Sequence, residues 1–183
     1  MNGVAARAIR ESGMSYKLVY GVELPRLREI ATQFSRDRRL AQTLWQEDIR
    51  ECKMLAIMLY PLEEFDTDIA DLWVSQLLPE QAELAQLLCM DLLAQTPYAT
   101  EQAFLWMADE RTMYQLCGFL MLTRLLMQGA QFSPAAEDEF LDQAAATIPT
   151  TYLPLKKAVR NALLRYSDSS EEAQHKAAHI LCI

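Results

Sequence analysis

The sequence predicts an all-α protein, and three observations predict it. Leu, Ala, Gln, Glu and Met dominate the composition, and these side chains give up little rotamer freedom in a helix. Gly (5) and Pro (7) are scarce while hydrophobic residues reach 51%. No alternating Val/Ile/Thr run of strand length occurs. At 183 residues the chain can bury one substantial core, and a single domain over residues 1–183 is expected.

The elements follow in order. Residues 2–13 read as a helix with Asn2 as its cap and Gly13 as its stop. A tight turn at Tyr20-Gly21-Val22 leads into three short helices that end by Tyr60. Pro25 opens the first and Ser35 caps the second. The third, RECKMLAIML, carries Glu51 among apolar residues and stops against Pro61. Asp66 or Thr67 caps the next, which reaches about Leu77 with Ile69, Leu72, Trp73 and Gln76 along one side.

Pro79 occupies the first turn of PEQAELAQLLCMDLLAQ, whose apolar set is broad enough to touch two neighbours. Pro97 breaks the chain and Thr100 caps EQAFLWMAD; a helix from Thr112 to Met127 then ends at Gly129. Ser133-Pro134 starts a helix with Glu137, Asp138 and Glu139 in its first turns, where the helix dipole favours negative charge, and Pro149 ends it. LKKAVRNALLRY follows Pro154, and a Ser/Asp turn precedes a last helix through Ile180.

These helices repeat. Trp45 precedes RECKMLAIMLY, Trp73 precedes LAQLLCMDLLA, and Trp106 precedes MYQLCGFLMLTRLL, each second helix being apolar with small residues at its centre. Offsets of roughly 30 to 45 residues match helix-pair repeats of the HEAT or armadillo kind. Short amphipathic hairpins cannot bury their faces alone, so they stack and share a core. The expected architecture is a HEAT-like or armadillo-type α-α superhelix of about ten short helices.

Composition also excludes functions. Cys52, Cys89, Cys117 and Cys182 lie far apart without a C-x-x-C spacing, so they read as reduced thiols packed as small hydrophobes, in a cytoplasmic protein without a zinc site. Met1 is followed by no apolar leader, and the longest greasy run, Tyr114 to Met127, is interrupted by Arg124; no membrane segment is expected. The formal net charge of −8 argues against strong non-specific affinity for nucleic acid, although an acidic chain can still hold a local basic face.

The strings GVELPRLREIA and LAQTLWQEDIRECKMLAIML carry a resemblance. Gly21-Val22, Pro25 to Arg28, Leu44-Trp45, and Arg50-Glu51 with Leu55-Ala56 fall in the order seen in the DNA alkylation repair glycosylases of the AlkD type, which this stretch resembles. The resemblance implies a HEAT-like solenoid whose concave face holds duplex DNA and which excises cationic alkylpurines without flipping the base into a pocket. In that family an aspartate flanked by two tryptophans stabilises the developing sugar cation, and an arginine helps to hold the DNA. The chemistry explains those types: an oxocarbenium-like sugar needs a nearby negative charge, and a cationic base is favoured against an aromatic face.

Residue by residue, the catalytic set is missing. The family's Trp-Asp-x-x-Asp motif falls where this chain reads AELAQLLCMD, and its arginine falls in YQLC, near Tyr114 to Cys117. Its second tryptophan sits in Lys-Lys-Ala-Ile-Gly-Trp-Ala-Leu, retained here from Lys156 to Leu163 with Asn161 in the tryptophan's place. The resemblance therefore implies a family member without the family's usual glycosylase chemistry.

Substitutes are weak. Glu83 and Asp91 lie on the corresponding helix but are expected on different faces, as solvated carboxylates. Trp73 and Trp106 recur in register with Trp45 and read as core. His175 and His179 have an i, i+4 spacing that can ligate a metal, yet no third ligand stands near them, so no metal or other cofactor is expected.

The remaining candidates are basic: Arg36, Arg38 and Arg39 at the start of one helix, and Lys156, Lys157, Arg160 and Arg165 along another. The sequence supports a DNA-associated protein that uses these residues on duplex phosphates. The alternative reading is a diverged solenoid scaffold holding a protein or peptide in its groove. A glycosylase with a relocated carboxylate ranks third.

Overall fold

The computed structural model describes residues 16–182, where it shows α-helices α1 (Leu24–Ala31), α2 (Arg38–Gln46), α3 (Arg50–Leu59), α4 (Thr67–Ser75) and α5 (Ala82–Asp91), then α6 (Ala99–Met107), α7 (Thr112–Met127), α8 (Pro134–Thr147), α9 (Leu153–Ser167) and α10 (Glu171–Leu181). Short 3₁₀ turns lie at Leu62–Glu64, Pro79–Gln81 and Leu93–Gln95. The only β pairing among the described residues is an isolated parallel bridge between Leu18 and Ile49. The all-α expectation holds; the helix expected over residues 2–13 lies outside the described residues. The helices gather into two compact units, Met1–Thr96 and Pro97–Ile183.

In the first unit, Pro25 stands in the opening turn of α1 and Asp66 caps α4, its carboxylate accepting from the Ile69 N–H at 2.9 Å. Ser35 does not cap α2. Asp37 does, from an extended backbone conformation, accepting the Leu40 N–H at 2.7 Å. A charged acceptor at the positive helix end, two residues further on, takes the role. One consequence is that Arg36 precedes the cap while Arg38 and Arg39 form the first turn.

The core of this unit is aromatic. Trp45 of α2 and Trp73 of α4 stack face to face with centroids 4.0 Å apart, and Tyr60 and Phe65 meet Trp73 edge-on at 5.4 and 5.2 Å. The Trp45 indole N–H finds a partner in the Gln76 side-chain oxygen at 2.7 Å, as a buried indole must. The tryptophan repeat in the sequence is thus the register mark of stacked helices. α4 turns Ala70, Trp73 and Val74 inward, and Leu72, on the same side as Ile69 and Trp73, is exposed.

In the second unit, α6 begins at Ala99 rather than after a Thr100 cap: the Pro97 turn already brings the Tyr98 carbonyl to the Gln102 N–H at 3.0 Å. Gly118 lies at the centre of α7, pressed against α6. A methyl group there would meet the Met107 backbone nitrogen, and would lie 2.7 Å from Met107 Cα and 2.8 Å from the Ala103 carbonyl oxygen. Gly129 ends α7 with φ of 87°, in a Schellman motif: its N–H donates to the Leu126 carbonyl, and the Ala130 N–H to that of Leu125, both at 3.0 Å.

Phe140 is fully buried against Phe132 and Tyr166, at centroid distances of 5.7 and 5.5 Å. Above it, Glu137 of α8 accepts from the Tyr166 hydroxyl of α9 at 2.6 Å and from Lys176 of α10 at 2.7 Å. One carboxylate joins three helices. The Lys176 and Tyr166 hydrogen bonds hold the Glu137 carboxyl below the usual glutamate range.

Two outcomes are expected. Gly118→Ala forces α6 and α7 apart and lowers stability by about 2 kcal/mol or more, the upper range for overpacking a backbone contact, measured by urea unfolding. Because the folded-state pKa of Glu137 is depressed, its contribution is present above the ordinary glutamate value of about 4.3 and lost as pH falls through the lower folded value. Unfolding followed from pH 7 to about pH 3 should therefore show a shallower acid loss in Glu137→Gln than in the native chain.

Candidate functional site

In the first unit the chain around Gly21 is held by charge. Glu51, at the start of α3, is 3% exposed, and its carboxylate accepts the backbone N–H groups of Tyr20 (3.0 Å), Gly21 (3.0 Å) and Val22 (3.3 Å). Three successive amides can converge on one carboxylate only if the chain turns sharply, and Gly21 supplies the turn with φ of 71°.

Arg50, 5% exposed, neutralises the pair. It donates to Glu51 at 3.2 Å, to the Val22 carbonyl at 3.2 Å, and in a two-pronged contact to Glu83 of α5 at 2.6 and 3.0 Å. Burial works against its charge, but the Glu83 hydrogen bonds and attraction outweigh that and raise the Arg50 pKa. Tyr16 lies in the same neighbourhood, its hydroxyl pKa pushed up by burial and then by Glu83.

Glu83 and Asp91 do not lie on different faces of their helix. Both line one groove of about 370 Å³ with Leu24, Arg28, Met54, Gln86, Leu87 and Met90. Eight residues is a little over two turns, close enough for both to border the same opening. Neither is a free solvated carboxylate, since Glu83 holds Arg50 and Asp91 accepts from Arg28 at 2.7 Å. A carboxylate offset by a guanidinium is poorly suited to stabilise a sugar cation, and the groove has no aromatic wall for a cationic base.

The tryptophans offer no substitute wall. Trp45, Trp73 and Trp106 are all buried, the last edge-on to Tyr114 at 5.6 Å. Cys89 and Cys117 are buried and Cys52 half-buried, as expected of small hydrophobes, but Cys182 is exposed at the end of α10. All four are free. His175 and His179 are exposed on α10. Among the described residues no group of three or more His, Cys, Asp or Glu is arranged to hold a metal, and no helix is long and apolar enough to cross a membrane.

The basic candidates separate by pairing. In the first unit Arg38 approaches Glu64 at 3.9 Å, while Arg36 and Arg39 are exposed with no carboxylate at ion-pair distance among the described residues. In the second, Arg165 pairs with Asp168 at 3.2 Å. Lys156, Lys157 and Arg160 have no such partner among the described residues.

Helical geometry places Leu153, Lys157, Arg160, Asn161 and Leu164 on one exposed ridge of α9, opposite the buried Leu155, Ala158, Val159, Ala162, Leu163 and Tyr166. Lys156 is half-buried on its flank. Asn161, in the position where the resemblance implies a tryptophan, thus stands in solvent beside two cations.

The buried Arg50–Glu51–Glu83 network was not read as a unit from the sequence. Its signal was present as two adjacent charges opening a largely apolar helix, with a Gly-containing turn upstream. The partners of Glu51 are backbone amides, which no side-chain pattern announces.

The model of the family described as DNA alkylation repair enzyme matches residues 4–179. Among solved structures, the chain is similar to one described as "a new family of proteins related to the HEAT-like repeat DNA glycosylases with affinity for branched DNA structures". The TM-score is 0.79 at 19% identity, over 96% of this chain and 74% of the other, which establishes a HEAT-like fold. No curated protein matches significantly.

Breaking the buried network is expected to be costly: Arg50→Ala strands Glu51 as an uncompensated buried charge and should lower stability by about 3–5 kcal/mol. Glu83→Gln, on the groove side, keeps acceptor and shape and should cost far less. Parallel denaturant titrations of the two variants check the ordering.

Proposed function

The chain belongs to the DNA alkylation repair enzyme family, and from that premise we propose that it binds duplex DNA through backbone contacts and does not excise bases by the chemistry the family resemblance implies. The observation that carries this reading is the α9 ridge. In a chain of net charge −8, Lys156, Lys157 and Arg160 lie within five consecutive residues and have no carboxylate at ion-pair distance among the described residues. Several other cations are matched, as in Arg26–Glu29, Arg28–Asp91, Arg111–Asp109 and Lys176–Glu137.

Unmatched cations on one helix face are what a polyanion recruits, because each neutralised phosphate releases condensed counterions. Arg36 and Arg39 are secondary contacts in this reading, and Arg38 and Arg165 join them by exchanging a surface carboxylate for a phosphate. Exposed ion pairs of that kind are weak enough to be exchanged.

The branched-DNA affinity described for the structural neighbour supports including junctions among the ligands. The groove beside Glu83 and Asp91 supports the absence of excision, since both carboxylates are already held by arginines. Four cysteines outside any disulfide fit a reducing compartment, and the reading puts the protein in the cytoplasm.

The test is a titration of continuous duplex, alkylated duplex and a four-way junction at about 50 and 200 mM salt. Binding should weaken with salt, and Lys156→Gln/Lys157→Gln/Arg160→Gln should flatten the dependence by about 2.7 in slope, taking about 0.9 per phosphate contact. Salt-independent or absent DNA binding overturns the reading in favour of the protein-binding scaffold. Release of methylated purine that is lost in Glu83→Gln or Asp91→Asn overturns the absence of excision.

A further inference from the structure

The cations of the α9 ridge account for phosphate binding, but they leave its two leucines without a role. Leu153 and Leu164 are 65% and 49% exposed, on the same face as Lys157, Arg160 and Asn161. They bracket the basic residues, roughly 16 Å apart along the helix axis at 1.5 Å per residue. Single exposed leucines are ordinary on protein surfaces. Two that flank the unpaired cations of an acidic chain, on one straight helix face, form a patterned surface.

A continuous duplex gives such a surface little to match. Its phosphates face the cations, but its apolar base faces are stacked on one another. A branch point, nick or gap changes this, because the backbone no longer enforces stacking there, and the face of a terminal base pair can be uncovered beside a phosphate backbone at little cost. Apolar side chains such as leucine are the kind that wedge against unstacked base steps. Asn161 adds an amide that can both donate and accept, and it makes no hydrogen bond among the described residues.

We infer that Leu153 and Leu164 are specificity-determining residues, which cover base-pair faces exposed at a discontinuity in the duplex while Lys157, Arg160 and Asn161 hold the adjoining phosphates. This rests on the DNA-binding reading above and deepens it. The charge of the ridge selects a polyanion over an apolar partner. A lipid surface suits it poorly, because interfacial helices bury a broad apolar face, whereas α9 spends its broad apolar face on the protein core and shows only these two leucines outside.

The experiment compares the native chain, Leu153→Ser/Leu164→Ser and Lys157→Gln/Arg160→Gln on continuous duplex, a four-way junction, a nicked duplex and phosphatidylglycerol vesicles. The expected result is a native preference for the interrupted DNAs that falls roughly tenfold in the leucine variant, about the value of covering a leucine side chain. Affinity for continuous duplex and its salt slope should stay as in the native chain. The cation variant should weaken all the DNAs together and leave the preference intact.

Equal native binding to continuous and interrupted DNA overturns the inference and leaves the DNA-binding reading standing. So does a preference that survives both serines, or tighter binding to vesicles than to junctions. Loss of all salt-dependent DNA binding in the native chain overturns both. Leu153→Ser alone, checked for native helicity by circular dichroism, should show a partial loss; an unchanged preference there and in the double variant sinks the proposal.

Discussion

The first unit depends on a carboxylate buried under three backbone amides. Glu51 is held by the N–H groups of Tyr20, Gly21 and Val22, and Arg50 closes the charge balance while reaching across to Glu83. Removing an ion from water costs several kcal/mol, so an arrangement like this persists only when nearly every donor and acceptor is met. Here they are met by three separate pieces of chain: the turn before α1, the first residues of α3, and the start of α5. The directional bonds fix where the chain enters α1 relative to the two helices it packs beside. Apolar contacts alone would tolerate sliding between them.

The aromatic stack works with this network rather than repeating it. Trp45 on Trp73, with Tyr60 and Phe65 edge-on, contributes area and shape, and Gln76 satisfies the one indole N–H of Trp45. Lys53 lies over the outer face of Trp45 at 4.7 Å and donates to its carbonyl at 2.7 Å, closing the cluster with a cation whose pKa burial lowers. The second unit solves the same problem differently. It brings α6 and α7 into backbone contact at Gly118 and ties α8, α9 and α10 through Glu137. One repeat pattern in sequence is thus held by different local constraints, a stacked tryptophan pair in the first unit and a close backbone contact at Gly118 in the second.

Much of the fold was legible because its signals are local. Pro25, Asp66, Ser133 and Gly129 act where they stand in sequence, and the tryptophan spacing marks helix pairing directly. What failed was choice between neighbouring signals: Asp37 over Ser35, and the Pro97 turn over Thr100, each decided by backbone geometry two residues away. At the site, the motif comparison rests on the resemblance alone, and the partners of Glu83 and Asp91 were not readable in the sequence. Arg50 and Arg28 reach them from 33 and 63 residues away, a separation at which sequence pattern carries no geometry.

That same separation explains how an acidic chain can present a basic surface. Net charge sums all residues equally, but a ligand meets only charges that are exposed and not already matched. Asp91, Glu83, Asp109 and Glu137 are each engaged by a cation of their own unit, so they project little field outward. On α9 the balance reverses. Asp168 offsets Arg165 at the helix end, while Lys157 and Arg160 face solvent and Lys156 lies half-buried beside them, none with a carboxylate at ion-pair distance among the described residues. Asn161, where the resemblance implies a tryptophan, fits the same logic: an amide beside two cations suits a phosphate, whereas a ring there would suit a cationic base. In the proposed reading, the charges on the ridge and the ion pairs in the groove serve one end, holding a nucleic-acid backbone rather than cleaving a glycosidic bond.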